Sequence, residues 1–305
     1  MMELRVLQYF LAIAREQSIS AAAQALHVSQ PALSVQIQNL ERELGKSLFI
    51  RSTKGSRGIQ LTEEGILLRD RGEEILELVR KTEQAIASSE DTIVGDVHIG
   101  AGESDILHVF AQAAKILQKR YPLIHYHIAS GNSTYVLEQL DKGLIDFGLL
   151  YGAIDHAKYE SIQLPLKDTY GVLMRKDSPL ASKAAISPED LWDKPLIVSR
   201  QEEKNGWPLQ TWIKKEISQL NIVATYTLIY NGSILVDEGI GYAICFDKLI
   251  NTKDSNLCFI PLTPIREETP SIIWKKYHFH TKASEKYLET LKDLFRKIAE
   301  EGSSK

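Results

Sequence analysis

The stretch from Ser18 to Gln38, SISAAAQALHVSQPALSVQIQ, constrains the chain more than any other. It predicts two short helices with a tight bend between them. Ser20 is the expected N-cap of the first, its hydroxyl accepting from an N–H that has no partner inside the helix. Ala21, Ala22, Ala23, Ala25 and Leu26 make that helix small-sided, so a second helix can approach closely. His27-Val28 is the bend. Ser29 is the second N-cap, and Pro31 falls near the helix start, where its missing N–H costs little. Leu33, Ile37 and Leu40 then bury one face at i, i+4, i+7. Ser29, Gln30, Ser34 and Gln36 stay polar on or near the other face. A helix packed from behind with Gln and Ser in front suits a DNA major groove. An ordinary helical hairpin has the same spacing, so the neighbours must decide.

Upstream, Leu4, Leu7, Phe10, Leu11 and Ala14 recur at three- and four-residue spacing and predict an amphipathic helix over 3–16. The third helix runs from Ser29 to Glu43, and Gly45 is its expected left-handed terminator. Leu48-Phe49-Ile50 and Ile59-Gln60-Leu61 are short extended runs around Lys54-Gly55-Ser56-Arg57-Gly58, a β-hairpin with a basic tip. Three helices and a hairpin make a winged helix, with Arg51, Lys54 and Arg57 as the expected phosphate contacts. Residues 1–61 hold seven cations against four carboxylates, a net of +3. The rest therefore carries −7 of the chain's total of −4. The overall acidity hides a basic front end.

Thr62 should open a long helix, with Glu63 and Glu64 in the first turn where the dipole favours acids. Leu68, Gly72, Ile75, Val79, Thr82 and Ile86 alternate spacings of four and three, a coiled-coil seam. Leu68, Ile75, Val79 and Ile86 are its expected dimerisation residues, unless the helix lies instead on its own domain. From Asp96 the pattern becomes βα alternation, which predicts mostly parallel sheet covered on both faces. Strands are expected at 97–99, 124–129, 145–150, 196–199, 222–228, 241–245 and 271–278, with the strands of 162–174 leading into a second lobe. Helices are expected at 106–120, 136–141, 209–218, 234–238 and 284–300.

No apolar run approaches membrane-spanning length. The start MMELRVLQYF lacks the basic-then-apolar pattern of a signal peptide, so a cytoplasmic location is the expectation. Two cysteines, Cys245 and Cys258, predict neither a disulfide framework nor a cysteine metal site.

Two stretches, LQYFLAIAREQSISAAAQALHVSQPALSVQIQNLERELGKSLFIR and LTEEG, make residues 1–65 strongly resemble the LysR-type transcriptional regulators. Residues 95–300 resemble the family's effector domain through Gly95–Gly100, GNSTYVLEQLDKGLIDFGL at 131–149 and VDEGIGYAIC at 236–245. The resemblance implies an α/β protein with an N-terminal winged helix-turn-helix, a long linker helix that pairs two subunits, and a two-lobed periplasmic-binding-protein-like effector domain. The divisions would be 1–61 for the DNA-binding domain (helix-turn-helix about 19–38), 62–91 for the linker and dimerisation helix, and 92–305 for the effector-binding domain. Lobe I would take 92–162 and 267–305, and lobe II 163–266. Implied partners are double-stranded promoter DNA, a second copy in a homodimer or homotetramer, and a small-molecule effector of unknown identity; RNA polymerase is a further partner the resemblance allows. No cofactor, catalytic residue or metal is implied.

On the helix start, the resemblance assigns Ser29, Gln30, Pro31 and Ser34 to base contact, with Gln36 nearby. Gln30 is suited to adenine, because its amide matches N6 and N7. Arg51 matches the family's wing arginine. Val35 and Gln38 stand where many relatives carry Arg, which shifts phosphate work to the wing. The wing is also a few residues longer than the common version.

Ligands of open α/β sheets sit beyond the carboxyl ends of strands. The turns there supply Gly102, Glu103 and Ser104, then Asn132, Ser133 and Thr134, then Tyr151, with Ser199, Arg200 and Phe246 from lobe II. Arg200 could pair a carboxylate, and Glu103 could hold an amine. Asp105 occupies the last glycine of a would-be dinucleotide fingerprint and breaks it. Two rival classes remain: a solute-binding protein, and a metal-dependent enzyme. His125-x-His127 and His278-x-His280 each put two imidazoles on one strand face, but neither has an obvious carboxylate beside it, so they are read as satisfied or solvent-facing histidines.

Overall fold

The computed structural model describes residues 2–50, 59–87, 93–200, 210–277 and 280–303. The chain forms two compact units, Met1–Ala87 and Ser88–Lys305.

In the first unit, α1 (Leu4–Glu16), α2 (Ile19–Ala25) and α3 (Gln30–Leu44) precede a two-stranded ribbon of β1 (Phe49–Ile50) and β2 (Gln60–Leu61), then α4 (Glu63–Ala87). Ser18, not Ser20, caps α2: its Oγ accepts the Ala21 N–H at 3.3 Å. Ser20 is the second residue of the helix, inside its first turn, which sequence spacing could not separate from the cap. His27 takes φ 54° at the bend, and Gly45 ends α3 at φ 66°. The buried face of α1 is Val6, Leu7, Phe10, Ala12 and Ile13, whereas Leu4 is exposed. These residues close on Ala22, Ala23, Leu33, Ile37, Leu40 and Leu48. Each fully buried Leu or Ile stabilises the unit by about 1.5–3 kcal/mol.

Two polar contacts fix the exit from α3. Glu41 Oε1 accepts from the N–H groups of Leu48 and Phe49 at 2.7 and 3.3 Å. Thr62 Oγ1 donates to Ser47 O at 2.7 Å and accepts from Gly65 N at 3.0 Å, capping α4. The ribbon is antiparallel, Phe49 opposite Leu61 and Ile50 opposite Gln60. Its tip, with Arg51, Lys54 and Arg57, lies outside the described residues.

The second unit holds two mixed sheets. The first has the order β4-β3-β5-β13-β6, from β3 (Gly95–Ala101), β4 (Ile124–Ser130), β5 (Phe147–Leu150), β6 (Tyr159–Gln163) and β13 (Ser271–Lys275). β3 runs parallel to β4 and β5, but β13 is antiparallel to both neighbours. One face packs against α5 (Leu107–Arg120) and α9 (Lys282–Ser303), with Phe110, Leu117, Tyr287 and Leu291 in the core. The other face meets α6 (Ser133–Asp141) through Val136 and Leu140.

The second sheet is built on β7 (Asp168–Arg175), β8 (Leu196–Ser199), β9 (Ile222–Tyr226), β10 (Tyr242–Phe246) and β11 (Leu257–Pro261), in the order β11-β7-β10-β8-β9; β12 (Glu267–Glu268) also pairs with β7. β7 is antiparallel to β10, β11 and β12, so one strand in each sheet, β13 in the first and β7 in the second, runs against the rest, and the other strands keep the mostly parallel direction expected. Each lobe receives a returning strand, and a return reverses direction. The helix expected at 209–218 ends earlier than expected: α7 (Gln210–Ile213 among the described residues) stops at Lys214, whose φ is 54°. α8 (Ile229–Asp237) starts five residues before the expected helix. Among the described residues the chain crosses between the sheets twice, between β6 and β7 and between β12 and β13.

Cys245 is buried and Cys258 half-buried, on strands that flank β7 opposite Gly171 and Met174 respectively. With a whole strand between them they are not placed to bridge. Burial pushes the Cys245 thiol well above its usual range. Among the described residues no helix is long and apolar enough to cross a membrane.

Candidate DNA and effector sites

α3 is held from behind by Leu33, Ile37 and Leu40 and presents its opposite side to solvent. Ser29, Gln30 and Pro31 are exposed at its start, while Ser34 and Gln36 are half-buried on the two flanks. Ser29 Oγ accepts from Ala32 N at 3.4 Å, so that hydroxyl is engaged as the cap. Ser20 Oγ donates to Gln30 Oε1 at 3.0 Å, which orients the Gln30 amide from the neighbouring helix. The positions squarely opposite the buried stripe are Pro31, Val35, Gln38 and Arg42, at i, i+4, i+7, i+11. Val35 is 53% exposed there, an apolar side chain held in water. Val35, Gln38 and Arg42 were not among the expected site residues, although all three are exposed. A helical wheel centred on the buried leucines would have found them.

In α4, Gly72 is buried, and a Cβ there would stand 2.8 Å from Leu7 Cδ1 and 3.4 Å from Leu11 Cδ2. Leu68, Ile75 and Leu76 pack on the same core. Leu68 and Ile75 thus pack partly on their own unit, as the alternative of a helix lying on its own domain expects. Val79 is half-buried, and Ile86 is exposed together with Leu67 and Leu78.

In the second unit the predicted turns converge. Gly131 N donates to Ala101 O at 3.0 Å, so the turns after β3 and β4 lie side by side. Asn132 Oδ1 caps α6 by accepting from Tyr135 N at 3.0 Å; Ser133 and Thr134 follow in its first turn. Ser104 is only 7% exposed. Its Oγ donates to Asp168 Oδ2 at 2.7 Å and accepts from Ile106 N at 3.1 Å. The Tyr151 hydroxyl donates to the same Asp168 oxygen. Asp168 opens β7, so two side chains of the first lobe hold a carboxylate of the second.

Burial raises the Asp168 carboxyl above its usual range, and the Tyr151 and Ser104 hydroxyls partly offset that by donating to it. Burial first, then the charge of Asp168, push the Tyr151 phenol far above its ordinary value.

Other groups cross the same gap. Glu103 accepts from Ile229 N, the first N–H of α8, so its carboxylate already faces a helix N-terminus rather than awaiting an amine. Lys248 Nζ lies 3.3 Å from Asp105 Oδ2. Phe246 ends β10 with its ring 5.2 Å from Tyr151 and 4.4 Å from Tyr170. Ser199 ends β8, the parallel neighbour of β10, at the same end as Phe246, and Arg200 follows it directly. Near the second crossing, Arg266 Nη2 donates to Glu268 Oε1 at 2.7 Å, while its buried Nε has no hydrogen-bond partner among the described residues. Asp168, Tyr170, Lys248, Arg266 and the start of α8 were not legible beforehand. An aspartate opening a strand reads as a turn until the other lobe is placed against it.

Residues 4–66 match the family model described as a bacterial regulatory helix-turn-helix protein of the lysR family. Residues 90–296 match the LysR substrate binding domain. The HTH-type transcriptional regulator YvbU of Bacillus subtilis is 29% identical over 80% of this chain and 81% of its own. BudR of Raoultella terrigena, also an HTH-type transcriptional regulator, is 26% identical over 94% of this chain and 99% of its own. The crystal structure of CbnR, a LysR family transcriptional regulator, superposes with a TM-score of 0.75 at 18% identity over 96% of this chain and 99% of that one. A winged helix with an exposed recognition face, two sheets joined by double crossings and both family matches lead to one assignment: the chain is a transcriptional regulator of the LysR family, with a helix-turn-helix DNA-binding domain and an effector-binding domain.

Proposed function

We propose that this regulator reads double-stranded promoter DNA in pairs, under the control of a small organic effector held where the two lobes meet. The observation that carries the DNA reading is α3: apolar contacts support it from behind, and Gln30 stands exposed at its start with its amide oriented by Ser20. Gln30 reads adenine, the Val35 side chain is suited to a thymine methyl, and Gln38 adds polar reach. Arg51, Lys54 and Arg57 supply phosphate contacts from the wing. Val79 and Ile86 are the part of the α4 seam left for a second copy, giving a homodimer or homotetramer. RNA polymerase is a partner of the bound complex. The protein acts in the cytoplasm as a binding protein and not as an enzyme.

For the effector, the shared acceptor Asp168 Oδ2 links lobe closure to ligand occupancy. Tyr151, Phe246, Asn132, Ser133, Thr134, Ser199 and Arg200 line the surrounding turns. Gly102 sits in the first of these turns, and Ser104 and Glu103 hold the lobes. The ligand panel starts with small carboxylates, which Arg200 or the unmet Arg266 donor would take.

Retardation of the DNA upstream of its own gene is the test. Gln30→Ala should relax base preference, and Arg51→Ala should weaken every sequence and flatten the salt slope by about one unit. Equal salt slopes for wild type and Arg51→Ala would remove the wing from the interface. Thermal shift against the acid panel identifies the effector, since stabilisation grows with ligand concentration over Kd.

A further inference from the structure

On the first sheet, Asp96 stands opposite His125 and His98 opposite His127 in the parallel pairing of β3 and β4. Alternation sends Val97 and Ile99 into the core. Asp96, His98, His125 and His127 therefore share the other face. The sequence showed His125 and His127 without a carboxylate; the register supplies one from the next strand. His127 Nε2 lies 3.2 Å and His125 Nδ1 3.7 Å from Asp96 Oδ1. The His98 and His127 rings stack with centroids 4.6 Å apart. One ligand atom each from Asp96, His98 and His127 falls within 4.8 Å of the others.

We propose that Asp96, His98 and His127 form a site for a divalent transition-metal ion, zinc first. Zinc bonds of about 2.0–2.2 Å place tetrahedral ligands about 3.3–3.5 Å apart, close to the Asp96–His127 separation. Two imidazoles and a carboxylate suit a borderline ion; magnesium and calcium favour all-oxygen sites. The Asp96 side chain is 9% exposed and that of His127 53%, so the carboxylate forms the floor and the imidazole the rim. Bringing both nitrogens onto one ion requires the stacked rings to turn about their side-chain bonds. His125 or water completes the shell from the open side.

The backbone beneath is fixed: Asp146 Oδ2 accepts from His98 N at 2.7 Å, and Asp146 N donates to His98 O at 2.8 Å. The site lies toward the N-terminal ends of β3 and β4, away from the turns that follow them. It is therefore separate from the effector region. Because β4 is the sheet's edge strand, the ion would cross-link that edge to its neighbour.

The test uses the full chain without a histidine tag, stripped with a chelator and titrated with zinc chloride in a calorimeter. Wild type should bind one equivalent and melt at a higher temperature with zinc. His127→Gln, an exposed position that leaves the fold intact, should weaken binding by about 10-fold or more, and His98→Gln with His127→Gln should abolish it. Cobalt should give a visible ligand-field band with wild type and none with the double variant. A wild type that takes up no zinc, or a double variant that binds with wild-type affinity, overturns the site.

Discussion

Replacing Ser104 with alanine should loosen the effector-binding unit, and the structure sets the size of the effect. The hydroxyl makes a 2.7 Å bond to Asp168 and accepts the Ile106 N–H at 3.1 Å, in a position almost closed to water. A hydrogen bond to a charged partner contributes about 1.5–3 kcal/mol, and a buried N–H left without an acceptor adds a cost of about 1 kcal/mol. The expected loss is about 2.5–4 kcal/mol, which for a unit of this size lowers Tm by roughly 5–16 °C. All four tryptophans, Trp192, Trp207, Trp212 and Trp274, belong to the second unit, so fluorescence excited selectively at tryptophan in a urea titration reports on that unit alone. Asn132→Ala removes a single exposed cap and should cost about 1 kcal/mol, giving an internal standard. Ser104 and Tyr151 share one acceptor oxygen, so Ser104→Ala and Tyr151→Phe should be non-additive by about 0.5 kcal/mol or more. If Ser104→Ala costs less than Asn132→Ala, or the two hydroxyl deletions simply add, the shared carboxylate does not tie the lobes.

Asp168 also carries a pH signature. Its carboxyl is raised in the folded state, chiefly by burial, so the folded protein binds that proton more tightly than the unfolded chain. Stability from this group is present at low pH and falls as pH rises from the ordinary aspartate range through the raised folded value. Asp168→Asn should lack this slope; parallel pH profiles of unfolding free energy for the two proteins would count against it. In the first unit, Gly65→Ala would put a Cβ 2.1 Å from Leu48 O, the carbonyl that also accepts Thr62 N at 3.0 Å. The gain in helix propensity of about 1 kcal/mol cannot offset a backbone clash, so hydrogen exchange should show the α4 junction opening and DNA retardation should weaken. Unchanged protection there would mean the junction yields freely. Ser20→Ala should loosen adenine preference less than Gln30→Ala does, because it frees the amide without removing it; an effect on salt slope instead would assign Ser20 to phosphate contact.

What local chemistry can carry was legible from the residues alone. Ser29, Pro31 and Gly45 bound α3, and Leu33, Ile37 and Leu40 select its buried side, because capping and period are set within a few residues. The same holds for the turns after β3 and β4, where strand, turn and helix follow in order. Tertiary structure decided everything that depends on partners far away in the chain. Ser18 and Ser20 are equivalent as caps until the helix start is fixed. Gly72 fits a coiled-coil seam or a close helix contact, and only the approach of α1 separates the two. Asp168 meets Ser104 across 64 residues, and Glu103 meets Ile229 across 126. Strand direction in the two sheets depended on returning segments that have no local signature. Asp96 came to face three histidines only through the register of β3 on β4, since pairing between strands fixes which side chains share a face and a single strand's pattern cannot.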